Sequence, residues 1–152
     1  VSPSYREVQP FVLLWVVLPL TAALTSIAMH ASDERGAALG SAIMVATSAL
    51  MLTFFGRLAI EIRGDRLHWT FGFLGWPRWS LPLAEIEGCE VLRRAGRTGA
   101  GIRGPARDRL YSAVVGGPAL RLTLRDGRRV TLGTPEPDRL RGFIDARRPA
   151  PR

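Results

Sequence analysis

Hydrophobic and polar positions along this chain fall into two regimes. From Pro10 to Met29 (PFVLLWVVLPLTAALTSIAM) and from Gly36 to Phe55 (GAALGSAIMVATSALMLTFF) no residue carries a formal charge. Each run is about 20 residues, the length of helix that crosses a hydrocarbon core. Pro19 would damage a soluble helix, but a membrane span tolerates it where neighbours re-satisfy the freed carbonyl. Two buried helices of a soluble core are the bland alternative, yet the rest of the chain is too short to cover both on all sides. A cleaved signal peptide is the sharper rival for the first run, with Arg6 before it and Ala28 and Ala31 near its end, but the apolar stretch is longer than a signal core. Residues 30–35 (HASDER) are then the short loop of an antiparallel helix hairpin. Gly36 and Gly40 form a G-x-x-x-G pair, and Ala42, Ala46 and Ala49 continue a small-residue face expected to line the helix contact.

After Phe55 the period changes to two. Leu58, Ile60 and Ile62 alternate with Ala59, Glu61 and Arg63. After a turn at Gly64-Asp65, Leu67, Trp69, Phe71 and Phe73 alternate with Arg66, His68, Thr70 and Gly72, which is a hairpin with one buried face. Leu74-Gly75-Trp76-Pro77 is a second turn, and strands are expected around 78–81, 88–94 and 111–115. Between them, Ala95 to Leu110 (AGRTGAGIRGPARDRL) reads as a long Gly- and Arg-rich loop. Leu120, Leu122 and Leu124 face inward, Asp126-Gly127 turns, and Val130 and Leu132 return on the same face. Thr134, as N-cap, and Pro135, at the first helical position, open a final helix whose apolar stripe is Leu140, Phe143 and Ile144, stopped by Pro149. The expectation is α+β: a tail over 1–9, a first span over 10–29, an external loop over 30–35, a second span over 36–55, a seven-stranded β domain closed by a helix over 56–147, and a tail over 148–152.

Charge sharpens the picture. The 152-residue chain has 21 basic residues, all arginine, and a net charge of +8. Every cation is therefore a planar guanidinium suited to phosphate and carboxylate oxygens, and the partner expected is anionic: lipid headgroups or nucleic acid. Outside the spans, Arg6, Arg57, Arg63 and Arg66 flank the helices, against Arg35 alone in the loop. That bias puts both termini and the β domain in the cytoplasm of a multi-pass membrane protein.

Several residues hold the strand pattern of a known family. Leu74-Gly75-Trp76-Pro77 precedes Leu81-Pro82-Leu83-Ala84-Glu85-Ile86, Gly101-Ile102-Arg103 lies in the long loop, and Gly116-Gly117-Pro118-Ala119-Leu120-Arg121-Leu122 leads into Asp126-Gly127-Arg128. With the closing helix, this order resembles the bacterial pleckstrin-homology-like (PH-like) membrane proteins over about residues 56–147. The resemblance implies a small transmembrane anchor followed by an open β barrel capped by the helix. Where that family often has aromatics before Gly-Ile-Arg, this chain has Thr98-Gly99-Ala100. The motifs are turns and strand patterns, so they speak for fold rather than activity.

Candidate chemistry is sparse. Gly99 to Gly104 fits G-x-G-x-x-G, but Pro105-Ala106-Arg107-Asp108-Arg109 continues no apolar helix, so a dinucleotide site is not expected. Glu85, Glu87 and Glu90 flank strand apolars with no His or Cys nearby and read as solvated charges. Cys89 is the only cysteine, and His30 and His68 are the only histidines, so no metal site is expected. No catalytic residue, cofactor or small-molecule substrate is expected. The remaining feature is the arginine loop, Arg93, Arg94, Arg97, Arg103, Arg107 and Arg109, which with Trp76 is the candidate contact for anionic headgroups or a protein partner. The connection Arg63-Gly64-Asp65-Arg66 is too tight to form a phosphoinositide pocket. Nucleic acid is disfavoured because the arginines are not interleaved with stacking aromatics. The function expected is a membrane-anchored, non-enzymatic interaction module, with an accessory subunit of a larger membrane transport or envelope complex as the alternative.

Overall fold

The computed structural model describes residues 5–31, 36–94 and 100–148. Arg97, most of the helix-connecting loop and Pro149 lie outside the described residues. The fold is α+β, with two apolar helices near the N-terminus, a two-sheet region and a C-terminal helix.

The apolar runs form α1 (Val12–Ala31) and α2 (Ala37–Phe55), within two residues of the expected bounds. Both are long and apolar enough to cross a membrane, and almost none of either is buried within the chain. Their less exposed positions run along Leu14, Leu18, Ala22, Thr25 and Met29 on α1 and along Ala37, Gly40, Met44 and Ser48 on α2, spacings of three and four that keep one stripe facing the partner. A Cβ at Gly40 would lie 2.2 Å from the Met29 side chain, whereas Gly36 has open space, so one glycine of the G-x-x-x-G pair serves the hairpin. Ala42, Ala46 and Ala49 are exposed. Of the expected small-residue face, Ala49 borders α1, lining a groove with Pro19, Ala22 and Ser26, while the more shielded positions of α2 include residues 37, 40, 44 and 48.

The expected N-terminal tail contains a strand. β1 (Tyr5–Pro10) precedes α1 and pairs antiparallel with β2 (Arg57–Arg63), which follows α2, with Pro10 opposite Arg57 and Tyr5 opposite Ile62. β3 (Arg66–Phe71) and β4 (Arg78–Pro82) complete a sheet of order β1-β2-β3-β4. A single 3₁₀ turn, Leu83–Glu85, leads to the second sheet. This comprises β5 (Ile86–Leu92), β6 (Gly101–Arg103), β7 (Asp108–Ser112), β8 (Ala119–Leu124) and β9 (Arg129–Gly133), in the order β5-β8-β9-β7-β6. Eight described strands thus follow the helices instead of seven. The added one, β6, is three residues between glycines inside the expected loop, too short to show a period.

Nor do the strands form a simple meander. β7 pairs in parallel with β9, and β8 lies on the far side of β9. The β7–β8 connection must therefore cross the end of β9, where Thr134 N–H donates to the Pro118 carbonyl at 3.1 Å. Gly133 permits the crossing, since a Cβ there would meet the Ser112 hydroxyl at 2.3 Å.

The sheets are not closed into a barrel. Their inward faces share one core in which Leu58, Ile60, Phe71, Leu120, Leu122 and Leu132 are fully buried. The final helix α3 (Pro137–Asp145) starts at Pro137, two residues after the expected Pro135. Thr134 instead holds a turn in which its Oγ1 accepts from Glu136 N–H at 3.1 Å. Leu140 and Ile144 of α3 are fully buried in the shared core, and α3 packs on β5 and β8.

Candidate functional site

Both helices leave the β domain at one end, and the backbone stitches that junction together. Phe11 N–H and Trp15 Nε1–H both donate to the Gly56 carbonyl, each at 2.9 Å. Gly72 ends β3 with φ +70 and sits so close to α2 that a Cβ would lie 2.4 Å from the Thr53 and Phe54 carbonyl oxygens. The next amide, Phe73 N–H, donates to Thr53 O at 2.8 Å. Phe73 therefore leaves the strand alternation predicted for it, and its ring is half exposed beside the helix end.

A collar of rings results. Trp15 meets Phe73 edge-on at 6.0 Å, and Phe54 meets Trp76 edge-on at 5.9 Å. The Arg57 guanidinium lies 4.6 Å from the Phe73 centroid and donates through Nε to Gly72 O at 3.1 Å. Leu74 (66%) and Trp76 (63%) are among the most exposed large apolar residues of the β domain. The β7–β8 crossing adds the exposed Val114 and Val115, with Val114 beside Val12 at the start of α1. Exposed apolar side chains thus gather at the end from which the helices depart, an arrangement that suits a membrane–water interface and not free solvent.

The candidate arginines do not form one patch. β5 ends opposite the start of β8, Leu92 against Ala119, so Arg93 and Arg94 lie at the helix-exit end with Arg57, Arg78 and Trp76. β6 and β7 then run away and back, with Arg103 opposite Leu110 and Asp108 opposite Arg129. Arg103, Arg107 and Arg109 consequently sit toward the far end, near the β8–β9 hairpin with its Arg125, Arg128 and Arg129; Arg129 N–H donates to Arg107 O at 2.7 Å. The acids there include Asp108, Asp126 and Glu85, whose backbone carbonyl accepts from Arg125 N–H at 3.0 Å. Hydrogen bonds from the Arg128 backbone and side chain hold the Asp126 carboxyl below its ordinary range. Arg97 lies outside the described residues.

A cluster absent from the sequence reading joins the sheets. Glu7 on β1 accepts from Tyr5 OH, from Gln9 Nε2 and from Thr134 Oγ1, the last at 2.8 Å, while Gln9 Nε2 also donates to the Gly133 carbonyl at 2.8 Å. Tyr5, Gln9 and Thr134 are buried. Burial first, then the Glu7 carboxylate, push the Tyr5 phenol up from its ordinary value. The inward positions of β1 are thus Tyr, Glu and Gln, while Val8 points out, an inversion of the usual pattern that hides the strand in the sequence.

Catalytic geometry is not assembled around the cysteine. Burial, then the Asp145 charge, raise the Cys89 thiol, which keeps it protonated and a poor nucleophile. Among the described residues no group of three or more His, Cys, Asp or Glu gathers as a metal site. Comparison with protein-family models, with characterised proteins and with solved structures gives no match for this chain, so its functional reading comes from this geometry.

Proposed function

We propose that this chain is a membrane-anchored, non-enzymatic interaction module, with α1 and α2 spanning a bilayer and the β domain held at its cytoplasmic surface. The observation that carries the reading is the pairing of β1 with β2 across the hairpin. It ties both helix ends to one sheet, so the exposed Phe73, Leu74, Trp76, Val114 and Val115 face the same interface. Arg57, Arg78, Arg93 and Arg94 flank these apolar side chains at the level of anionic headgroups, each contributing about 1 kcal/mol near the surface. The arginines at the far end are turned to the cytoplasm, where an acidic surface of a protein partner is their complement. The PH-like resemblance is supported by two face-packed sheets with a C-terminal helix on them; the eight strands and the parallel β7–β9 pair depart from it.

The accessory-subunit reading has its own support. A groove of about 350 Å³ runs along the hairpin, lined by Pro19, Ala22, Ser26, Ser48, Ala49 and Leu52, small enough side chains for a helix of a larger complex to approach closely.

Topology is the test. With Cys89→Ser as background, single cysteines at His30 and at Arg128 are challenged in spheroplasts with a membrane-impermeant thiol reagent. Labelling at position 30 and protection at 128 until lysis is the expected result; the reverse pattern rejects the cytoplasmic assignment, and release of the chain by alkaline carbonate rejects membrane anchoring. Stoichiometric co-purification with one larger membrane protein would favour the accessory role.

A further inference from the structure

Two grooves meet at the helix-exit end. The first, about 400 Å³, is walled by Val8, Val12, Val114, Gly117, Pro118 and Pro135. The second, about 440 Å³, is walled by Val91, Arg93, Pro118, Pro135, Pro137 and Asp138. Both are lined by Pro118 and Pro135, so the two grooves lie side by side across that ridge. The first is apolar, with Val8, Val12 and Val114 all more than 40% exposed, and it opens beside the first turn of α1. The second carries a cation and an anion, both exposed, and among the described residues no ion pair joins Arg93 to Asp138.

We infer that the two adjacent grooves together bind a phospholipid of phosphoethanolamine headgroup chemistry, taken from the leaflet on which the domain sits, its chain crossing the Pro118–Pro135 ridge. The inference rests on the membrane reading above. An acyl segment entering at Val12 would cover the exposed valines. Two opposite charges that share one groove without neutralising each other match a zwitterion, phosphate toward the Arg93 guanidinium and ammonium toward the Asp138 carboxylate. A purely anionic headgroup would meet Asp138 as a like charge. A quaternary ammonium has no N–H for that carboxylate and is held elsewhere by aromatic faces, of which the groove lining has none. Arg93 is the cation among the lining residues of the second groove, so the phosphate contact is assigned to its guanidinium.

The test uses the full chain in nanodiscs made of equal phosphatidylethanolamine, phosphatidylcholine and phosphatidylglycerol with identical acyl chains, read by native mass spectrometry for lipid retained after stepwise detergent removal. The wild type should retain phosphatidylethanolamine about tenfold over the other two. Arg93→Glu and Asp138→Lys should each abolish that preference; the exposed Arg93 can be replaced without moving the thermal midpoint, whereas Asp138→Lys, a charge reversal in the first turn of α3, should lower it slightly. Gly117→Leu, whose Cβ would stand at an ordinary 3.4 Å from Val114, should fill the apolar groove and lower retention of all three lipids. Equal retention of the three by the wild type overturns the inference. So does preferential retention of phosphatidylglycerol that grows in Asp138→Asn, the signature of a plain anionic site. A chain that leaves the membrane in carbonate fails the earlier reading; one that stays embedded without headgroup preference fails this inference alone.

Discussion

At Glu7 one half-buried carboxylate serves three donors, from Tyr5, Gln9 and Thr134, and so links the first sheet to the loop before α3. Replacing it by alanine leaves those buried donors unmatched, a loss of about 1–3 kcal/mol. Glu7→Ala should accordingly lower the chemical denaturation midpoint of the detergent-solubilised chain, whereas Glu136→Ala, at an exposed ion pair with Arg139, should barely move it. The same cluster fixes a pH response. Because the Tyr5 phenol is raised in the fold by burial and by Glu7, the folded state holds its proton more tightly than the unfolded chain does. Its contribution is complete below the ordinary tyrosine value of about 10 and is lost as pH climbs toward the raised one. Absorbance titration should show one tyrosinate forming well above pH 10 and only with unfolding, a step absent in Tyr5→Phe. Deep in the core, Leu122→Ala removes a fully buried side chain and should cost about 2–5 kcal/mol by the same denaturation measurement.

Helix ends and strand ends depend on one another at the junction. Gly72 combines a positive φ with carbonyl oxygens 2.4 Å from where a Cβ would stand. Gly72→Ala should thus destabilise by more than the ~1 kcal/mol of an ordinary glycine substitution, and the collar of Trp15, Phe73 and Trp76 should loosen with it, read as a red shift in tryptophan emission. Elements with a strong period were legible in the sequence: both apolar helices, the β2–β3 and β8–β9 hairpins, and the stripe of Leu140 and Ile144. Those that were not have specific causes. β1 puts Tyr, Glu and Gln inward and Val outward, β6 has three residues, and Thr134-Pro135 carries the same helix-start chemistry as Pro137 two residues later, where α3 begins. The parallel β7–β9 pair has no local signature, since it depends on a crossing permitted by Gly133. At the candidate site, the arginine loop and Trp76 were legible as one candidate contact, of which Trp76, Arg93 and Arg94 lie at the helix-exit end. The separation of Arg103, Arg107 and Arg109 from them required β6, because only a strand there carries the chain to the far end and back.

For the molecule as a whole, the boundary between anchor and domain does not fall between residues 55 and 56. A fragment beginning at Arg57 keeps the β2 edge but lacks its partner, together with Tyr5, Glu7 and Gln9. That fragment should aggregate or melt well below the full chain. Joining residues 5–10 directly to Arg57 through a loop of about two to four residues, as in an ordinary hairpin, should restore a cooperative, monomeric fold, since Pro10 already lies opposite Arg57. Size-exclusion chromatography with circular dichroism separates the two outcomes.

The β1–β2 pairing also imposes an order of events during synthesis. β1 leaves the ribosome first, yet its partner is not made until both hydrophobic segments have followed. If only one of them entered the bilayer, β1 and β2 would be stranded on opposite faces and the first sheet could not form. If both enter as a hairpin, the two strands arrive side by side. On the proposed membrane anchoring, the sheet would thus act as a check on insertion: a correctly threaded chain could bury its core, and a misthreaded one would present an unpaired edge and open apolar surface to proteases.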